Sequence, residues 1–135
     1  MTYPISAIED IDEDGAEALR SVGIRTTEKL LEAAKSPKGR KQLKAETGLD
    51  EKRLLAWANI ADKLRIKGMG KEYACLLCGV GVDTVKELRY RNPARLAQAM
   101  AELNKKRKLV RFLPSEKLVT RWVENARKLP QKITY

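Results

Sequence analysis

An internal repeat constrains this chain more than any other feature of its sequence. Ile8 to Leu30 (IEDIDEDGAEALRSVGIRTTEKL) aligns without a gap on Ile66 to Leu88 (IKGMGKEYACLLCGVGVDTVKEL) at an offset of 58. Ile8 falls on Ile66, Ile11 on Met69, Ala16 on Ala74, Leu19 on Leu77, Gly23 on Gly81 and Leu30 on Leu88. The ends of the two segments match again at an offset of 65, where Trp57 meets Trp122 and Ala61 to Leu64 meets Ala126 to Leu129. The second copy is thus about seven residues longer, and the basic stretch Asn104 to Pro114 is the natural place for the surplus. Two similar units are expected, 1–64 and 65–135. Each has ~60 residues, small for an independent core, so the two should pack on one another.

Each copy reads as four short helices. Asp12 and Asp14 precede the first, which runs through Val22 and stops at Gly23. Thr26 caps a second over Glu28 to Ala34, and Ser36-Pro37 opens a third to about Glu46 with proline in its first turn. Gly48 ends it. Asp50 caps a fourth, Glu51 to Leu64, with Leu54, Leu55, Ala58, Ala61 and Leu64 at helical spacing. In the second copy the first helix runs from about Lys71 to Cys78. Asp83 or Thr84, Asn92-Pro93 and Pro114-Ser115 open the other three. No stretch alternates as a strand would, so the predicted class is all-α.

Charge divides the copies. Residues 1–64 hold 11 Lys+Arg against 12 Asp+Glu, a net −1, and residues 65–135 hold 17 against 6, a net +11. The first seventeen residues contain six acids and no base. Only the second copy therefore has the electrostatic footprint of a polyanion binder.

The chemistry is concentrated at the start of that copy. Ile66-Lys67-Gly68-Met69-Gly70-Lys71 leads straight into a helix. Two glycines let the backbone turn sharply and approach a phosphate closely. The amides of Met69, Gly70 and Lys71 are expected to point outward at the helix N-terminus, where unpaired N–H groups and the dipole favour an anion. Met69 is expected to turn inward, with Lys67 and Lys71 flanking the loop. In the first copy Gly68 and Gly70 are replaced by Asp10 and Asp12, whose carboxylates repel phosphate, so that turn is expected to be structural.

A second basic feature is Asn104-Lys105-Lys106-Arg107-Lys108-Leu109-Val110-Arg111, five positive charges with no acid. It reads as an arm laid along a phosphate backbone. Arg89, Arg91 and Arg95 extend it in sequence. Aromatic residues are not interleaved beyond Tyr90 and Phe112, so backbone tracking fits better than base stacking.

Several classes of function are disfavoured. The chain has no histidine, which removes the commonest general base and metal ligand. Two cysteines build neither a four-thiolate zinc site nor a disulfide scaffold. Cys75 and Cys78 fall within one predicted helix and read as buried or half-buried free thiols, and Trp57 and Trp122 as matching residues of the core or of the packing between the two halves. No catalytic set, metal or cofactor is expected. No apolar run approaches the ~18 residues of a membrane span, and no signal peptide is read at the N-terminus. A cytoplasmic protein without a membrane partner is expected.

The pattern from Ile66 to Leu77, with Gly81 and Val82 in register, resembles the helix-hairpin-helix motif. The chain from about Ile5 to Pro130 also resembles a bacterial family of duplicated hairpins, domain of unknown function 4332. That resemblance rests on residues 24–49, 57–74 and 81–96. It implies two tandem helix-hairpin-helix four-helix units, and helix-hairpin-helix families at large imply DNA contact through backbone amides without sequence specificity. The expected function is non-catalytic binding of nucleic-acid backbone, with duplex DNA favoured. The site would be Lys67, Gly68, Met69, Gly70, Lys71, Lys105, Lys106, Arg107, Lys108 and Arg111. The alternative is an adaptor whose basic half docks an acidic protein.

Overall fold

Polar side chains fix where most of the helices begin. The computed structural model describes residues 2–135, in which a 3-10 turn at Ile5–Ala7 is followed by eight α-helices. They are α1 (Glu13–Ser21), α2 (Thr27–Ala34), α3 (Pro37–Thr47), α4 (Glu51–Lys63), α5 (Lys71–Gly79), α6 (Val85–Arg89), α7 (Pro93–Arg107) and α8 (Glu116–Lys128). The fold is all-α. Among the described residues the extended pairing is a single bridge, Pro4 with Thr26.

Asp12 caps α1, accepting the Gly15 N–H at 2.8 Å. Thr26, Ser36, Asp50, Asn92 and Ser115 do the same for α2, α3, α4, α7 and α8. Each such cap satisfies an orphan donor and is worth about 1 kcal/mol. At α6 the Thr84 amide donates to Glu87 at 3.2 Å and the Val85 amide to Asp62 at 2.8 Å. Among the eight, α5 alone starts with no side-chain oxygen on its first amides.

The helices pack as two layered groups joined in the middle. In the first, α2 lies on α4 with α3 against both; in the second, α6 and α7 lie on α8. The helix α4 also packs on α5, and α5 on α7, so one hydrophobic core runs from Ile5 to Ile133. Local geometry recurs at the sequence offset. The Ile24 amide donates to Leu19 and the Val82 amide to Leu77, both at 2.9 Å. Trp57 is buried against Gly15, and Trp122 is buried with its ring 5.2 Å from that of Tyr73, the residue aligned with Gly15.

The junction at 64/65 is among the most polar parts of the interior. Asp62 and Lys63, at the end of α4, are both buried. The Asp62 carboxylate holds Arg65 at 2.7 Å as well as the Val85 amide. Lys63 donates to the Val82 carbonyl at 3.1 Å. These bonds reach from α4 across the connecting turn to the start of α6.

Beyond α8 the chain returns to the first group. The Thr134 amide donates to the Lys35 carbonyl at 2.8 Å, buried Arg40 donates to the Thr134 carbonyl at 2.8 Å, and Ile133 is buried. Lys132 pairs with Glu32 of α2, which also bonds Lys35 at 2.9 Å. The Lys132 hydrogen bond, then that of Lys35, holds the Glu32 carboxyl at about 2, below its ordinary 4.5. A carboxyl depressed by folding stabilises above its unfolded value and loses that contribution as pH falls through the folded one. The pair is 44% exposed on the Glu32 side, so the effect is small. Thermal melts of Glu32→Gln should lie slightly below wild type at pH 7, with the gap closing between pH 4.5 and about 2.

The basic stretch is more structured than an extended arm. The helix α7 has 15 residues where α3 has 11, and Lys105, Lys106 and Arg107 form its last turn. Asn104 then pins the loop, accepting the Val110 N–H at 3.0 Å and donating to the Val110 carbonyl at 3.1 Å. Lys108 ends the helix at φ 52°, in the left-handed region that costs an L-residue about 1–2 kcal/mol. Lys108→Gly should therefore raise the melting temperature by a few degrees, as differential scanning calorimetry would read.

Candidate functional site

The turn between α4 and α5 is set by hydrogen bonding and by one glycine. The Met69 amide donates to the Ile66 carbonyl at 3.1 Å, closing Ile66-Lys67-Gly68-Met69. Gly68, at the third position of this turn, sits at φ 82°, in the left-handed region that glycine enters without steric cost. The aligned turn Ile8-Glu9-Asp10-Ile11 is closed by the same bond at 3.1 Å, but Asp10 is not left-handed. Met69 is fully buried, as its apolar character predicts, and its carbonyl accepts the Tyr3 hydroxyl at 3.4 Å.

The geometry shifts the expected cradle by one residue. Because the Met69 N–H is spent on the turn, it does not face outward. The amides that leave the start of α5 without a protein acceptor, among the described residues, are those of Gly70, Lys71, Glu72 and Tyr73. Gly70 is exposed, and a Cβ built on it would meet nothing within 4 Å. Its φ of −91° is open to any residue. Here glycine leaves space above the amides rather than permitting a strained backbone. At the aligned position of α1 that space is filled by the Asp12 carboxylate, which Arg53 of α4 also approaches at 3.5 Å.

Charge around the turn is uneven. Lys67 is exposed, and it lines a shallow cleft of about 150 Å³ with Arg65, Asn125 and Lys128. Lys128 was not among the residues singled out from sequence, because its proximity to the turn depends on how α8 packs. Lys71 is also exposed, but its Nζ lies 3.3 Å from Glu9. The acidic turn thus sits beside the glycine turn.

Tyr73, in the first turn of α5, donates its hydroxyl to the Phe112 carbonyl at 3.0 Å. This contact brings the connector to the helix that the glycine turn opens. Lys105, Lys106, Arg107, Lys108 and Arg111 are all exposed. Arg107 differs from the rest, because it lines a cleft of about 260 Å³ shared with Glu9, Asp10, Glu72, Cys75 and Cys78. Arg89 and Arg91 are used internally, Arg89 donating to Ala126 at 2.9 Å and Arg91 to Val80 at 3.3 Å. Arg95 is exposed. Phe112 and Tyr90 are exposed at 75% and 79%, large apolar surfaces flanking the basic loop and the α6–α7 turn.

Both cysteines are unpaired and half-buried. Burial, followed by the nearby Asp10 carboxylate, pushes the Cys75 thiol up from its ordinary value. Among the described residues no group of three or more Cys, Asp or Glu side chains is placed to hold a metal ion. No helix there is long and apolar enough to cross a membrane.

No curated protein and no solved structure matches the chain. A family model does, one described as Domain of unknown function (DUF4332), over residues 9–129. That span contains the α-helices from α1 to α8, the glycine turn and the connector. On this match the chain belongs to the DUF4332 family.

Proposed function

We propose that this protein binds nucleic-acid backbone without catalysis and without base specificity, with duplex DNA the favoured ligand. In this reading the repeat is a tandem duplication of helix-hairpin-helix units, and α4, the glycine turn and α5 form the intact hairpin of the second. The observation that carries it is the bare start of α5. Every other α-helix has an oxygen from a side chain on its first amides, whereas those of Gly70, Lys71, Glu72 and Tyr73 at α5 have no protein acceptor among the described residues and lie beneath an open glycine. A phosphate oxygen supplies the acceptor that is missing there, aided by the dipole. Lys67 and Lys128 add charge on one side, and the connector adds it along α5. Amides and lysines reach phosphates rather than base edges, so they position a duplex without reading it. The two half-buried unpaired thiols suit a reducing compartment such as the cytoplasm.

The test is an anisotropy titration of a labelled duplex of ~25 base pairs at two salt concentrations. Micromolar or tighter binding, weakened by salt, is expected. No binding at low salt would overturn the reading in favour of an adaptor whose basic half docks an acidic protein.

A further inference from the structure

The fully buried Lys63 lacks the partner that such a residue ordinarily has. A buried ammonium is costly unless a carboxylate balances it. The neighbouring carboxylate, Asp62, is engaged by Arg65 and the Val85 amide. No acid lies within ion-pair distance of Lys63 among the described residues. Its Nζ instead donates to the Val82 carbonyl at 3.1 Å and touches the Cys78 sulfur. Cys78 is half-buried and lines the 260 Å³ cleft, which gives a small solute a path to this residue.

We propose that Cys78 is an oxidative modification site, at which hydrogen peroxide joins its sulfur covalently to the Lys63 nitrogen. In the first step the thiol is oxidised by two electrons. One peroxide oxygen becomes the sulfenic hydroxyl of Cys78 and the other leaves as water. In the second, the Lys63 nitrogen attacks the sulfur and an S–N bond forms. The sulfenic S–O bond breaks, and the hydroxyl departs as water with one proton taken from the amine. The net change is loss of one hydrogen from each side chain. Nitrogen capture of a sulfenic acid is known chemistry, and contact between the two atoms removes the need for any diffusive encounter. The link ties the last residue of α4 to α5 across the glycine turn. The inference is independent of nucleic-acid binding.

Peroxide treatment of the Cys75→Ser protein tests this, because that background cannot form a disulfide between Cys75 and Cys78. The intact mass should fall by two hydrogens. Trypsin should no longer cut after Lys63, a peptide pair linked through Lys63 and Cys78 should appear, and dithiothreitol should reverse the change. In Cys75→Ser/Lys63→Met the linked pair should vanish, and dimedone should label Cys78 instead. A Cys75→Ser protein that gains oxygen without forming the linked pair, or that does not react, overturns the proposal. That peptide map decides the matter even if Lys63→Met fails to fold.

Discussion

Replacing Gly70 with aspartate should weaken duplex binding by about 10- to 100-fold while leaving the protein at least as stable as wild type. The two halves of this result have separate causes. The φ of −91° and the empty space around the Cβ position mean that the new side chain meets no steric resistance. The aligned residue Asp12 already shows where such a carboxylate goes, onto the amide three residues on at 2.8 Å. Aspartate at an N-cap is better than glycine by a few tenths of a kcal/mol, so the melting temperature should hold or rise. The same carboxylate occupies the amides that a phosphate would use and repels it. Anisotropy and a thermal melt on one sample check both halves. Unchanged affinity in a folded variant would remove the start of α5 from the interface.

Neutralising Lys105, Lys106, Lys108 and Arg111 together to glutamine should lower the salt dependence of duplex binding by roughly 3 to 4 units of slope, since each phosphate contact contributes ~0.9. Between 50 and 200 mM salt a change of that size separates variant from wild type by about two orders of magnitude. All four side chains are exposed, so circular dichroism should be unchanged. Arg107 is left out deliberately. It faces a cleft with three carboxylates, Glu9, Asp10 and Glu72, and should contribute less to the slope than its neighbours. A titration series at four salt concentrations distinguishes these contributions. An unaltered slope would show that the connector does not touch the backbone.

Much of this architecture was legible in the sequence because it is written in local chemistry. Ser36-Pro37, Asp50, Asn92-Pro93 and Ser115 announce helix starts that agree with the structure to within a residue. Met69 was expected inside on polarity alone, and it is fully buried. What the sequence hid depends on distant parts of the chain. Periodicity says nothing about Asp62 capping a helix 23 residues later, about Glu9 meeting Lys71, or about Lys63 touching Cys78. The reading of Met69 as an outward donor failed for a related reason, since its amide closes the turn that its own side chain anchors. The connector reads as an arm from its five cations and its place as the surplus of the second copy. Sequence does not show that Asn104 and Tyr73 fix the loop at Val110 and Phe112.

The pairing of Tyr73 with Trp122 makes the molecule its own optical probe. The Trp122 indole is buried, its N–H finds no acceptor among the described residues, and its ring lies 5.2 Å from the phenol that holds the basic loop. Trp57 lies instead beneath the guanidinium of Arg53, 4.9 Å from its ring centre. With Trp57→Phe the remaining indole therefore reports on the connector, and with Trp122→Phe on the first helix group, and neither site needs a dye.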